Sequence, residues 1–214
     1  PVQISWSLSE KKSVPKTAEE EISLYLYRVE KEEEFSQAYH RIYVPYDAVL
    51  KGFFRGDSRI VPIIPNITKG WHDHNIRENF DKLAALSALK GIAVGNLGWI
   101  EPFVNAGVNV FGDYGLNLYN SEDFLLAGKL GIKEAFVSHE ADLEDILALD
   151  FHGVIPEVAI SGKIPVMTSE HCLFAPSPAW IGKTDSSERS ESEAGGRCVA
   201  SDLNLCGKKC GQTN

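Results

Sequence analysis

No stretch of the sequence approaches the ~18 or more consecutive apolar residues that a helix needs to cross a bilayer. The first residues, Pro1 to Ile4, also lack the basic residues and following apolar run of a secretory signal. We therefore expect a soluble, cytoplasmic protein that contacts no membrane. Because the chain opens on Pro1 instead of an initiator Met, we also expect it to be a fragment of a longer polypeptide.

Positive charge is scarce as well. The chain has 21 Lys and Arg against 30 Asp and Glu, which gives a formal net charge of -9 at pH 7. A dedicated nucleic-acid surface needs a concentrated set of basic side chains to meet the phosphates. The charge therefore argues against DNA as a partner, and any contact with RNA must use a local patch.

Cysteine is absent from most of the chain. The four cysteines all lie in the last fifth of the sequence, at Cys172, Cys198, Cys206 and Cys210. Cysteines that pack in a core would be scattered among buried strands, whereas the ligands of one metal centre must converge. The pair in Cys206-Gly-Lys-Lys-Cys210 can reach one metal from a single turn. Four thiolates suit a 4Fe-4S cluster or zinc, although the paired C-x-x-C hooks usual for zinc are missing; disulfides or free thiols are further alternatives.

What the sequence does contain is a repeated alternation of helix-like and strand-like segments, with 43% apolar residues in total. Strands are predicted at 22–29, 41–45, 60–65, 91–96, 108–111, 134–138 and 154–160, and helices at 32–39, 76–89, 100–105, 121–130 and 142–149. About seven strands joined by crossovers favour an α/β fold of the TIM-type (β/α) barrel, reduced or incomplete, with a cysteine-bearing C-terminal extension. A doubly wound sheet is the alternative, but no G-x-G-x-x-G follows the first strand.

Composition divides the chain into three parts. Residues 1–21 are a polar lead-in from a preceding region, residues 22–174 form the barrel-like domain, and residues 175–214 hold a flexible insertion and the cysteine cluster. Within the last part, residues 183–196 are rich in Ser, Glu and Gly, which is typical of a solvated, mobile insertion.

Three polar side chains follow the strand predicted at 108–111. Asp113, Asn117 and Asn120 lie where the carboxyl end of that strand meets the next loop, the position at which barrel enzymes place their sites. A carboxylate and amides there can hold a polar substrate by paired hydrogen bonds. The alternative is that they cap the helix opening at Ser121, which suits Asn120 well and Asp113 poorly.

Two glutamates at later strands complete the predicted catalytic set. Glu140 and Glu157 lie at or within the last strands, and an unpaired carboxylate facing a barrel interior is costly to bury. Each is therefore either a functional acid or a salt-bridge partner. Since parallel strands bring their carboxyl ends to one opening, we expect convergence near Cys172 of Asp113, Asn117, Glu140 and Glu157.

Histidines offer two weaker patterns. His72-Asp73-His74, on a strand, would turn both imidazoles to one face and could ligate a metal or relay protons, whereas the alternative is a polar loop. His171 precedes Cys172 and could serve as a base for a thiol nucleophile, but neighbours on an extended segment point to opposite faces.

Five segments then occur in an order that identifies a resemblance. They are Val94–Gly98, Gly112–Asn120, Val137–Glu140, Pro156–Val158 and Pro165–Cys172. In these segments the chain resembles the collagenase-like protease family called peptidase U32, over roughly Ile22 to Cys210. It is similar to the second, C-terminal repeat of the longer members.

The resemblance implies a TIM-like barrel with these motifs at its strand ends. It also implies a function, because several members resemble oxygen-independent hydroxylases that act on RNA bases or quinone precursors and hold a 4Fe-4S cluster with four cysteines. We therefore expect an iron-sulfur enzyme with RNA or a small molecule as substrate, and the N-terminal repeat or a subunit of the same family as partner. A collagenase-like peptidase is the alternative, and a non-catalytic repeat with a structural metal cluster is the third possibility.

The chain departs from the family's collagenase-type signature. That signature runs Glu, aromatic, His, Gly and on to a Cys, and the matching positions hold Glu157, Ala159, Ser161, Gly162 and Pro165. The His and the first Cys are missing, while Cys172 matches the family's next cysteine. The departure argues against the peptidase.

Overall fold

The computed structural model describes residues 21–29, 31, 34–54, 56–87 and 90–165. Within these residues seven strands form one sheet. They are β1 (Ser23–Tyr25), β2 (Arg41–Pro45), β3 (Ile60–Ile64), β4 (Ile92–Val94), β5 (Val110–Gly112), β6 (Glu134–Phe136) and β7 (Ile155–Glu157). The helices are α1 (Tyr46–Leu50), α2 (Trp71–Glu78), α3 (Phe80–Ser87), α4 (Leu97–Asn105), α5 (Ser121–Lys129) and α6 (Leu143–Ala148), with a 3-10 turn at Tyr114–Leu116.

The order of the strands follows the order of the chain, and every neighbouring pair is parallel. This confirms the predicted α/β class and the parallel sheet. A doubly wound sheet would reverse direction partway through its strand order, and the sheet of this protein does not. The winding is that of a barrel-type sheet.

Contacts across the sheet show that it is curled. In a flat sheet neighbouring strands lie ~4.8 Å apart, so β1 and β5 would be separated by roughly 19 Å. Yet the Tyr25 hydroxyl on β1 donates to Asp113 Oδ2, just beyond β5, at 3.0 Å. Arg41 Nη2 on β2 likewise donates to Glu134 Oε2 on β6 at 2.6 Å. The strands therefore face one another across a concave surface, as in half of a barrel.

Alternate side chains of each strand serve two different surfaces. On β2, Ile42 and Val44 are fully buried on the outer, helix-covered face, whereas Tyr43 lies on the concave face. The main core fills the space between helices and sheet, and includes Ile64, Ile76, Ile92, Val94, Phe103 and Phe124. The concave face carries a smaller apolar set, Tyr43, Val61, Ile63, Ala93, Phe111 and Phe136.

Helix starts agree with the sequence where a capping residue is present. Asn120 caps α5, its side chain accepting from the Asp123 amide at 3.1 Å while the Asp123 carboxylate accepts from the Asn120 amide at 3.0 Å. This confirms the capping interpretation of Asn120, because the reciprocal pair satisfies two free amides of the first turn. Gly131, with φ +91°, follows the helix where the sequence predicts its end.

Two local predictions are wrong, and one short helix was missed. Residues 34–39 of the helix predicted at 32–39 form turns instead, held by Arg59, whose guanidinium donates to Ser36 O at 2.7 Å and Tyr39 O at 3.3 Å. The helix predicted at 76–89 is two helices, α2 and α3, separated at Asn79. The short helix α1 follows β2 directly and was not predicted.

All of these elements belong to the compact unit that ends at Gly162. In the part of the chain that the structure describes, no helix has the length and apolar character needed to traverse a bilayer. The four cysteines, the insertion at 183–196 and His171 lie outside the described residues, as does the lead-in before residue 21.

Candidate functional site

Asp113 is the most unusual polar residue of the sheet. It follows β5 directly and is 1% exposed, and its backbone amide donates to Val94 O of the neighbouring strand end at 3.0 Å. Carboxyl oxygen Oδ2 accepts from the Tyr25 hydroxyl at 3.0 Å. The second oxygen, Oδ1, is buried and has no hydrogen-bond partner among the described residues. A buried carboxyl with a free oxygen is costly unless it is protonated or meets a ligand.

The surroundings of Asp113 favour its neutral form. Burial raises its pKa to about 7, although hydrogen bonds from the Tyr114 amide and the Tyr25 hydroxyl oppose the rise, and the charge of Glu157 adds to it. At neutral pH both protonation states of Asp113 are therefore populated. Carboxyl groups with this property are suited to general acid-base chemistry.

Aromatic side chains surround this carboxyl group. The Tyr25 ring lies 4.8 Å from the ring of Tyr27 and 6.0 Å from that of Tyr114. The Tyr114 ring in turn stacks on the His139 imidazole at 5.4 Å. We call Tyr25, Tyr27, Tyr114 and His139 the aromatic cluster. Its rings lie at the ends of different strands, so a flat ligand could stack there while it meets Asp113.

Two members of the cluster have shifted acidity. Burial, and next the charge of Asp113, raises the pKa of Tyr114 to about 12, and burial also raises the pKa of Tyr25. Burial lowers the pKa of His139, whose Nε2 has no hydrogen-bond partner in the part of the chain that the structure describes. The tyrosines are thus neutral donors at physiological pH, and His139 is mainly a neutral imidazole.

Asn66, just beyond β3, occupies a space that two glycines leave open. A Cβ atom on Gly95 or on Gly115 would overlap the Asn66 side chain. The side chain forms a hydrogen bond with Tyr114, while Asn66 Oδ1 is buried and meets no partner within residues 21–165 as far as the structure describes them. Buried polar atoms in folded proteins nearly always have a hydrogen-bond partner. This unpaired acceptor is therefore a second polar atom that could bind a ligand.

Beneath the aromatic cluster, the concave face carries a group of charges. Arg41 donates to Glu134 at 2.6 Å and to Glu157 at 3.4 Å. The Tyr43 hydroxyl also donates to Glu157, at 2.5 Å, and the Arg41 guanidinium lies 4.0 Å from the centre of the Phe111 ring. Two carboxylates thus share one guanidinium, and one negative charge is left over inside the sheet.

The four residues predicted as catalytic do not occupy equivalent positions. Asp113 and Glu157 both lie on the concave face, near enough that the charge of Glu157 raises the pKa of Asp113. Asn117 is exposed and left-handed, with φ +50°, and its Oδ1 accepts from the Ser138 hydroxyl at 2.6 Å. The Ser138 hydroxyl accepts from the amide of Glu140, whose side chain is exposed. Asn117 therefore joins two loops, and the structure gives Glu140 no contact with Asp113.

The His72–His74 pattern does not turn both imidazoles to one face. These residues lie on α2, not on a strand or a loop, so side chains two positions apart point in different directions. His72 Nδ1 lies 3.0 Å from the Tyr46 hydroxyl, and His74 Nε2 lies 3.1 Å from Glu78. Among the described residues no group of three or more His, Cys, Asp or Glu could hold a metal ion.

A separate groove lies on the outer face of the sheet. Its volume is about 470 Å³, and its walls come from α1, α3 and β3, with Phe53, Pro62, Lys82 and Leu86 among the lining residues. It does not include Asp113 or the aromatic cluster. The groove is therefore separate from the candidate site around Asp113.

Sequence reasoning missed most of the surroundings of Asp113. Tyr25, Tyr27, Tyr114, Asn66 and Arg41 were not selected, although Tyr25 and Tyr27 are spaced to share one face of an extended segment. The signal for Asn66 was weaker still, since it depends on which glycines approach it in space.

Comparisons with protein-family models, with curated proteins and with solved structures found no match to this chain.

Proposed function

We propose that this chain is an enzyme that binds its substrate at the carboxyl-end edge of the curled sheet and uses Asp113 as its acid-base group. The observation that supports this most is the environment of Asp113: it is buried, one oxygen is held by Tyr25, the other is free, and its pKa is raised to about 7. Proton donors and acceptors work best when their pKa lies near the working pH.

The aromatic cluster favours a planar substrate. Tyr114 and His139 stack at 5.4 Å, and rings of this kind bind flat molecules by offset stacking. Asn66 Oδ1 supplies an acceptor and Asp113 Oδ1 a group that can donate or accept. An RNA base or the ring of a quinone precursor has this shape and these polar groups, in agreement with the hydroxylase-type members of the resembling family.

The metal centre is part of the same proposal. We assign Cys172, Cys198, Cys206 and Cys210 to a 4Fe-4S cluster, with zinc as the alternative, on the strength of their number, their spacing and the resemblance. A bound cluster would supply electron-transfer chemistry. A cytoplasmic location would keep these thiols reduced. A reduced TIM-type barrel, to which the sequential parallel winding points, would gather the strand ends at one mouth.

Binding of simple ring probes tests the substrate site. Uridine and hydroxybenzoate would be titrated into the protein while the amide and ring signals of Tyr114 and His139 are followed by NMR. We expect Asp113→Asn to weaken binding of one probe at least tenfold, with Asp81→Asn, an exposed residue of α3, as the control. Equal binding by the wild type and Asp113→Asn, or no binding of either probe to the wild type, would contradict the proposal.

The cluster has its own test. The protein would be reconstituted anaerobically with iron and sulfide, and its iron content and sulfur-to-iron absorption measured. Because hydroxyl groups cannot replace thiolates as ligands, Cys206→Ser and Cys210→Ser should each lose bound iron. Full iron content in both variants would rule out the cluster, and a colourless protein that binds zinc would support the alternative.

A further inference from the structure

The further inference concerns Glu157, which the sequence suggests as a catalytic acid. Its carboxylate accepts from Tyr43 at 2.5 Å and from Arg41 at 3.4 Å, so both protein partners hold it within the concave face. Its side chain is 20% exposed, against 26% for Glu134, the other carboxylate on Arg41. Both contacts are made by Oε2, so Tyr43 and Arg41 fix the orientation of the Glu157 carboxylate.

The register of the sheet links Glu157 to Asp113. Tyr25 and Tyr43 are partners in the β1–β2 pair, and Phe136 and Glu157 are partners in the β6–β7 pair. The Phe136 ring packs against both tyrosines, since its centre lies 5.9 Å from the ring centre of Tyr25 and 5.7 Å from that of Tyr43. One layer of the concave face therefore contains two tyrosine–carboxyl pairs side by side, Tyr25 with Asp113 and Tyr43 with Glu157.

We propose that Glu157 is a positioning residue that acts through Asp113, because Tyr43 and Arg41 hold its negatively charged carboxylate in the same layer of the concave face as the Asp113 carboxyl group. Arg41 cannot cancel that charge, because it is shared with Glu134. A second negative charge on Asp113 is therefore opposed by the first. The ionisable groups facing Asp113 and Glu157 are Tyr25 of β1, Arg41 and Tyr43 of β2, Glu134 of β6, and Tyr27, Tyr114 and His139 beyond the strands.

This inference rests on the proposed function and narrows the chemistry of the ligand. When Asp113 is neutral, Oδ2 accepts from Tyr25, so the proton lies on the free oxygen Oδ1. The carboxyl group then donates a hydrogen bond, as neutral buried carboxylic acids do in other active sites. The ligand atom that meets it is therefore an acceptor such as a carbonyl oxygen or an oxyanion, and not an ammonium group.

The Asp113 carboxyl signal, titrated by carbon NMR in the full chain, tests this directly. Its assignment comes from its disappearance in Asp113→Asn. Glu157→Gln keeps the shape of the side chain and its ability to accept from Tyr43, and should lower the pKa of Asp113 by about one unit. Glu134→Gln removes the same charge from the same arginine and is the matched control, for which we expect a smaller shift.

Equal shifts in the two glutamine variants, or no shift in Glu157→Gln, would overturn the positioning role. If Glu157→Gln does not fold, Tyr43→Phe answers the same question, since it removes a hydrogen bond to Glu157 and leaves the charge of Glu157 in place. The pKa of Asp113 in Tyr43→Phe should then equal that of the wild type or exceed it. A lower pKa would contradict the inference. If Asp113→Asn leaves probe binding unchanged, the proposed function itself is contradicted. Failure of the positioning role of Glu157 and failure of the proposed function are therefore distinguishable.

Discussion

At the scale of single residues, burial decides what the polar groups of the concave face can do. Asp113 and Glu157 are both carboxyl groups, but Asp113 lies among aromatic rings and accepts only from neutral donors, whereas Glu157 has a guanidinium and a hydroxyl as partners. Desolvation favours the neutral form, and opposite charge favours the ionised form. The two residues therefore serve different roles although the sequence presents them alike.

The raised pKa of Asp113 predicts how stability depends on pH. The ordinary value is 3.8 and the folded value is about 7, so between these limits the folded protein holds a proton that the unfolded chain has released. Stability should therefore fall as pH rises from about 4 to about 7, with no further change from this group above that range. Between about pH 5 and pH 8 this amounts to on the order of 3 kcal/mol.

Urea unfolding at these two pH values measures the effect. Asp113→Asn, which cannot ionise, should lose less stability than the wild type over the same interval, while Asp81→Asn should follow the wild type. Parallel pH dependence in all three proteins would mean that Asp113 is ionised throughout, and the acid-base assignment would be wrong.

At the scale of elements, local sequence predicts the structure where the signal is local. The Asn120 cap lies where a residue pattern within four positions specifies it, and so does the glycine after α5. The turns at 34–39 and the helices α1 and α2 depend on distant partners: Arg59 holds the former, and a Tyr46–His72 hydrogen bond links the latter two. Short elements of this kind have too little periodicity to be recognised alone.

Two glycines permit an experiment on the Asn66 space. Gly115→Ala should push a Cβ into the Asn66 side chain, costing about 1–3 kcal/mol and weakening probe binding. Gly128→Ala, within α5, meets only a Val154 methyl group at 3.5 Å and should stabilise the protein by about 0.5–1 kcal/mol. Unfolding midpoints in urea measure both, and a neutral Gly115→Ala would show that Asn66 is free to move aside.

At the scale of the whole molecule, the sequence predicts a parallel, barrel-type winding but not which side chains meet across the curled sheet. Alternation of strands and helices is enough to give a parallel sheet, whose strand order then follows the chain. Which side chains meet across the concave face depends on register and curvature, and these arise from tertiary packing. Hence Asp113 and Glu157 could be chosen from the sequence, whereas Tyr25, Arg41 and Asn66 could not.

Arg41 links both halves of this sheet and should contribute to the stability of the curl. It is 6% exposed and pairs β2 with β6 and β7, so Arg41→Ala would leave two partly buried carboxylates without a counter-charge. Removal of one partner of a buried ion pair costs roughly 3–5 kcal/mol, and the partial exposure of the glutamates places our expectation near about 3 kcal/mol. The control is Lys51→Ala, which breaks an exposed pair with Asp47 on α1 and should cost less than about 1 kcal/mol. Urea unfolding separates these outcomes, because urea is uncharged and does not screen the ion pairs. If both variants lose the same small amount of stability, the curl is maintained by apolar packing on the concave face, and the Arg41 group serves only to hold Glu157 in place.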